Sequence, residues 1–226
     1  MVNVIEPAEV RARAPGLPVP NDVQAPARSG EPLAAITPEQ ACALITSRQN
    51  VSPKRLVEPG PSQPQLDRIF VAAAAAPDHG QLLPWRFVIV PRDKRCLLGE
   101  VFALALIDRD PGATLVQIEA AREKAHRSPL LMLAVARLVS EHEPEIPNLE
   151  RIVSLGCAVQ NLLLAANAMG FGSGLTSGQA MTSDRMRSLF RLAADERAVC
   201  FVNVGTVSKR KPRRVRPTPE QIASVL

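Results

Sequence analysis

Four short stretches carry side chains suited to chemistry. The first is Arg48-Gln49-Asn50, a guanidinium followed by two amides. A planar guanidinium offers a fork of donors that matches phosphate or carboxylate, and amides add neutral hydrogen bonds beside it. Read alone, the same three residues also make a solvated helix end. The second is Ala75-Ala-Pro-Asp78-His79-Gly-Gln81, close to the single tryptophan, Trp85. Asp78 with His79 is a pair that could tune a proton, but adjacent residues seldom point the same way. His79 equally suits a surface loop, and Trp85 a core anchor. The third is Gly170-Phe-Gly-Ser-Gly174, continued by Leu175, Thr176, Ser177 and Gly178. It is not a dinucleotide fingerprint. Leu175 stands where the third glycine is required, and the run follows a predicted helix where that motif follows a strand. The fourth is the basic run Lys209 to Arg216. Its prolines and lack of aromatics make it a solvated tail by composition.

Other chemistries are excluded by pattern. His126 and His142 are distant from His79, and no His-Glu-x-x-His occurs, so no metal centre is expected. No nucleophile elbow or Ser-His-Asp signature appears. The cysteines, Cys42, Cys96, Cys157 and Cys200, are widely spaced. They read as small buried hydrophobes, not a disulfide framework or zinc site.

The elements that must position these groups follow from periodicity and stop signals. Thr37-Pro38-Glu39-Gln40 starts a helix that delivers Arg48 to Asn50 at its end. Val51 to Pro64 is a loop with four prolines. Ser62 starts a second helix with Leu66, Ile69, Phe70 and Ala73 on one face. Pro77 ends it, because the residue before proline avoids the helical region. Phe87 to Val90 is a buried strand. Leu97 to Ile107 and Thr114 to Ala125 are helices, and Leu130 to Leu138 is a second strand. Ser140 to Asn148 is an acidic loop. Leu149 to Gly170 is the longest helix and is apolar nearly all round, which places it in a domain centre or a subunit interface. The run 170–174 ends that helix, and a short helix follows near Ser183 to Leu189. Val199 to Val207 is a third strand. The fold class is α+β: a small mixed β-sheet wrapped by helices.

The chain's 226 residues suit one domain with extensions, and at 46% hydrophobic it can bury a substantial core. Residues 1–36 read as a Pro/Ala-rich extension, 37–207 as the domain, and 208–226 as a basic tail. The net charge of +5 sits largely in that tail, so the domain is close to neutral. Aromatics at 3% are too few for a base-stacking surface. No signal peptide is apparent, and the longest apolar run is too short and too polar for a confident membrane span. The expected location is cytoplasmic, with neither nucleic acid nor membrane as a partner.

Several stretches resemble the nitroreductase superfamily of FMN-dependent oxidoreductases, and most closely its compact bacterial members. They are Ala76-Pro-Asp-His-Gly-Gln-Leu-Leu-Pro-Trp-Arg-Phe87, Ser47 to Asn50, Gly156 to Ala166, Gly170 to Gly178, and Val204-Gly-Thr206. The resemblance implies an intertwined homodimer with FMN at its interface and NADH or NADPH as electron donor. The partner would be a small-molecule electron acceptor such as a nitroaromatic or quinone, and the mechanism ping-pong. It implies FMN contacts at Arg48, Gln49 and Asn50, where the family usually has Arg-Arg-Ser and only Arg48 is kept. It implies further contacts at Leu175, Thr176 and Ser177 along the flavin, and at His79 from the partner subunit. Ala75 matches a position that is often arginine, so that contact would be lost. Arg55, Lys209 and Arg210 are the candidates to supply the missing charge near the phosphate. No catalytic side chain is implied. A flavin-binding or flavin-modifying protein of this fold with little reductase activity is the alternative, and a basic-tailed protein that has lost the cofactor is a third reading.

Overall fold

The computed structural model describes residues 36–139, 146–212 and 215–226. The chain divides into two units, Met1–Thr37 and Pro38–Leu226, and the elements below belong to the second. The proline-rich extension expected at 1–36, and most of the acidic loop expected at 140–148, lie outside the described residues.

In chain order the elements are α1 (Pro38–Ser47), β1 (Leu56–Val57), α2 (Gln63–Ala74), β2 (Trp85–Ile89), α3 (Arg95–Arg109), α4 (Leu115–Arg122), β3 (Leu130–Arg137), α5 (Asn148–Ala168), β4 (Gly172–Thr176), α6 (Asp184–Leu189) and β5 (Glu196–Val207). Two helices begin with reciprocal side-chain and backbone caps that the sequence reading did not single out. The Ser62 backbone N–H and hydroxyl both donate to Gln65 Oε1, at 2.9 and 3.0 Å, and start α2. Thr114 does the same for α4 with Gln117.

β5 is the organising strand. It pairs antiparallel with β3, β4 and β1, and β2 lies on the far side of β3. The α+β class holds. The sheet itself is antiparallel where a mixed one is expected: among the described residues every ladder is antiparallel, and only an isolated bridge, Asn50 to Ser173, which joins the loop after α1 to β4, is parallel. Successive side chains of a strand point to opposite faces. Met132, Ala134 and Ala136 therefore pack with Ile69 of α2 and Leu155 and Leu162 of α5. Leu131, Leu133 and Val135 pack with Leu98 of α3 and Met186 of α6. Both faces of β3 are covered, which is why it reads as an unbroken apolar run.

The sheet has five strands, where periodicity predicts three. β1 has two residues between prolines and carries no periodic signal. β4 is hidden by its glycines. A Cβ on Gly172 would lie 2.3 Å from Val207 Cγ2, and one on Gly174 would lie 2.2 Å from the Val51 carbonyl oxygen. These glycines mark close approach of neighbouring chain within a strand. Only Gly170, at φ +86°, stops α5, with Phe171 N–H donating back to Ala166 O at 3.0 Å. The expectation that all of 170–174 closes the helix is therefore corrected.

Two of the four cysteines also depart from expectation. Cys42 and Cys96 are exposed, Cys157 and Cys200 are partly buried, and all four are free. Cys42 sits on α1, a helix that buries none of its residues within the chain. Burial holds the Cys200 thiol up at about 11, so that one is inert as a nucleophile.

α5 is apolar on most sides, but its faces differ. Leu155, Ala158, Leu162, Leu163 and Ala166 are buried against the sheet. Leu149 and Val153 are exposed at 74% and 57%, and Gly156 faces open space. It is the one described helix long and apolar enough to cross a membrane; its packing on the sheet makes it the core helix of the domain.

Two arginines, Arg95 buried and Arg86 half-buried, fasten the sheet differently. Arg95, 3% exposed, has no carboxylate partner among the described residues. Its Nε donates to Val90 O at 2.9 Å, Nη1 to Ala125 O and Ser128 O at 3.0 and 2.8 Å, and Nη2 to Pro129 O at 3.0 Å. Arg86 on β2 instead meets Glu196 on β5 in a two-pronged pair at 2.6 and 2.7 Å. The Arg86 hydrogen bonds hold the Glu196 carboxyl below its usual range. A carboxyl depressed in the folded state stabilises the fold above its unfolded pKa, and that stability is lost as pH falls through the folded value. Acid unfolding of the wild type should therefore show a stability loss below about pH 4.5 that Glu196→Gln flattens. Denaturant midpoints measured from neutral to acid pH check this; parallel curves for the two proteins would refute it.

Candidate cofactor and substrate site

The loop after α1 is stitched to β4. Val51 N–H donates to Ser173 O at 2.8 Å, and Leu175 N–H donates to Asn50 Oδ1 at 3.3 Å. This seam places Arg48, Gln49 and Asn50 beside the glycine strand. Without side chains at 172 and 174 the two segments lie in direct contact.

Arg48 is half-buried, and its Nε is buried with no partner. Burial, and then the charge of Arg216, hold its guanidinium below the ordinary value. Arg216 reaches back so that its Nη2 donates to Arg48 O at 2.8 Å. Two guanidinium-bearing residues therefore meet, and neither forms an ion pair with a carboxylate among the described residues. Such a pair is an anion site by chemistry. A second buried atom without a partner, Ser173 Oγ, lies on the same seam. Buried polar groups are nearly always bonded, so orphans mark places where a ligand completes the network.

Two clefts flank β4. The first, of about 380 Å³, gathers Gln49, Asn50, Arg55, Lys209 and Arg210 together with Gly172. The second, of about 420 Å³, has Thr176 and Ser177 on one wall and Phe102, Leu106 and Phe201 inside. Gly172 and Thr176 are the two ends of β4, so the clefts sit at its two ends. Leu175, between them, is 40% exposed. Both volumes suit a small ligand.

The structure thus brings Gln49, Asn50, Arg55, Lys209 and Arg210 into one cleft and puts Thr176 and Ser177 in another. Arg48, Leu175, Ala75 and His79 line neither. Ala75 is exposed at the C-terminal cap of α2. His79 is exposed on a 3₁₀ turn, where its Nδ1 lies 2.8 Å from Glu150 Oε2 at the start of α5. Asp78 does not act with His79. Its carboxylate accepts from Leu82 and Leu83 N–H at 3.2 and 2.7 Å and holds the turn. Trp85 is a core residue, 7% exposed. Arg216 and Ser173 escaped the sequence reading. Arg216 lies in the basic run, but nothing in the spacing separates it from its neighbours.

The family model for the nitroreductase family matches residues 52–206. A provisionally named NAD(P)H nitroreductase of Haemophilus influenzae is 33% identical over 176 residues, covering 78% of this chain and 93% of that protein. The provisionally named NAD(P)H nitroreductase YdjA of Escherichia coli K12 is 32% identical over 182 residues, 79% of this chain and 96% of that one. Among solved structures, a nitroreductase-like family protein of Bacillus cereus superposes with a TM-score of 0.70 at 16% identity, covering 82% of this chain and 95% of that one. The chain belongs to the nitroreductase family, a family of oxidoreductases. The family match stops short of Arg48–Asn50 at one end and Lys209–Arg216 at the other, so their grouping is a result of the tertiary structure.

Proposed function

We propose that the protein is an FMN-dependent oxidoreductase that takes NADH or NADPH as donor. The acceptor is a nitroaromatic, a quinone or a similar electron-poor small molecule, and donor and acceptor use the site in turn. The observation that carries this reading is the pairing of Arg48 with Arg216 beside a buried, unpartnered Nε, which fits a phosphate monoester. When bound, FMN supplies the hydride chemistry. Arg48 and Arg216 hold its phosphate, and Arg55, Lys209 and Arg210 add positive field from the neighbouring cleft. Gln49 and Asn50 offer amides to the polar parts of the cofactor, while Leu175, Thr176 and Ser177 border the ring. No side chain here is needed as an acid or base.

The site is completed by a second copy of the chain. α1 has no fully buried residue, and α5 leaves Leu149, Val153 and Gly156 uncovered. A two-fold dimer covers such self-complementary apolar surface. The partner's His79 would then reach the flavin, while Ala75, too short for the contact an arginine makes, would leave that side of it open. We place the enzyme in the cytoplasm.

Titration of the purified chain with FMN, followed by addition of NADH or NADPH, tests the reading. Flavin fluorescence should quench on binding, and the bound absorbance should bleach with donor. Absence of binding at high micromolar protein would overturn the cofactor assignment. Leu163, only 4% exposed, belongs to the core and is no probe of the dimer. Val153→Arg is the suitable one: it should give a folded monomer by sedimentation that has lost its flavin. A monomer that keeps FMN would show that one chain builds the site alone.

A further inference from the structure

Three cations stand on the rim of the cleft beside Thr176 and Ser177. Arg109 ends α3, and Lys124 and Arg127 belong to the turn after α4. No carboxylate lines this cleft among the described residues. Of the acids close in sequence, Asp108 pairs with Arg185, and Glu100 and Glu119 with Arg122; Asp110 accepts from Gly112 N–H in the turn after α3, and neither it nor Glu123 lines the cleft. None of the three cations forms an ion pair among the described residues. Gathered like charges without a counter-ion focus a positive field on the cleft.

The interior is apolar, and its accessible ring is that of half-buried Phe102, since Phe201 is only 2% exposed. Phe102 and Phe201 meet edge to face, centroids 5.7 Å apart at 81°, with Leu106 beside them. One polar group there has a fixed role. Asn203, 2% exposed, accepts from Ser128 Oγ at 2.9 Å through Oδ1 and donates from Nδ2 to Thr176 Oγ1 at 3.1 Å. The Thr176 oxygen is thus engaged as an acceptor, and its own proton is left to donate into the cleft. A ring surface, a hydroxyl donor and a cationic rim together match a ring that carries an anion.

We propose that this cleft selects acidic aromatic reactants: a small ring compound bearing a carboxylate, seated on the Phe102–Phe201 wall with its carboxylate towards Arg109, Lys124 and Arg127. The inference rests on the flavin reading, since Thr176 and Ser177 border both the cofactor and this cleft. A phosphate on the donor NADPH offers the same anionic chemistry, and the test separates the two sources.

The experiment uses the full chain loaded with FMN. Calorimetric titration with benzoate and with benzyl alcohol reads binding without turnover. Benzoate should bind about tenfold more tightly. That preference should fall to near unity in roughly 1 M NaCl, where rim charges are screened. It should also vanish in the double variant Arg109→Gln/Lys124→Gln, return in part with Arg109→Lys/Lys124→Gln, and leave the FMN Kd unchanged in both. In steady-state turnover, the first variant should need about tenfold more para-nitrobenzoate to reach half its maximal rate, while its requirement for para-nitrobenzyl alcohol stays put. Equal binding of the two ring compounds by the wild type overturns the inference and leaves the flavin reading intact. A variant that keeps its benzoate preference but loses NADPH relative to NADH assigns the cations to the donor phosphate and also overturns it. A variant that loses FMN assigns them to the cofactor, with the same consequence. Absence of FMN binding by the wild type overturns the flavin reading itself.

Discussion

Arg48→Ala is expected to weaken FMN binding by about 1.5–3 kcal/mol, roughly ten- to 150-fold in Kd. Gln49→Ala, which removes only a neutral hydrogen bond, should cost about 0.5–1.5 kcal/mol. The order follows from charge and burial. Arg48 is half-buried with an unpartnered Nε, so a phosphate there is bonded in a poorly solvated place, where charge-assisted bonds are strongest. Arg216→Ala should approach the Arg48 effect, because its guanidinium is hydrogen-bonded to the Arg48 carbonyl at 2.8 Å. Lys209→Ala and Arg210→Ala should do less, since they act from the adjoining cleft. Combining Arg48→Ala with Arg216→Ala should cost less than the sum, as residues sharing one ligand group do. Fluorescence titration at two salt concentrations measures all of this. Equal losses for Arg48→Ala and Gln49→Ala would sink the phosphate assignment.

The largest loss of stability is expected from Arg95→Met, about 3–5 kcal/mol. Methionine restores much of the volume and none of the hydrogen bonds. The carbonyls of Val90, Ala125, Ser128 and Pro129 would lose their shared donor in a region closed to water. For a chain of this length the change is roughly a 6–20 °C drop in Tm. Arg95→Lys should recover little, because one ammonium cannot reach the carbonyls that a planar fork spans. The loss should extend to the site. Ser128, whose carbonyl Arg95 holds, positions Asn203, and Asn203 orients Thr176. Thermal unfolding followed by circular dichroism checks the claim. A variant within about 1 kcal/mol of the wild type would show that water or backbone movement satisfies those carbonyls.

The long elements were legible in the chain because their signals are local. The helix starts at Ser62 and Thr114, the 3.6-residue spacing of Leu66, Ile69 and Ala73, and the apolar run of β3 each specify structure within a few residues. The sequence also carried the pieces of the site: Arg48 to Asn50 at a helix end, the glycine run, and the basic tail. Their types alone marked anion binding and close approach. Three things depended on the tertiary structure. β4 formed from a run that looks like a turn, because its glycines are selected by Val51 and Val207 pressing on it, atoms far away in sequence. Arg216 became a partner of Arg48 across a separation of 168 residues, which no local pattern encodes. Arg109, Lys124 and Arg127 became one rim only because α3 and the turn after α4 pack around the same cleft, while Arg122 and Arg185 hold Glu100, Glu119 and Asp108. Local hydrogen bonding and periodicity determine elements. Which charges are left unpaired, and which backbones touch, is decided only when those elements pack.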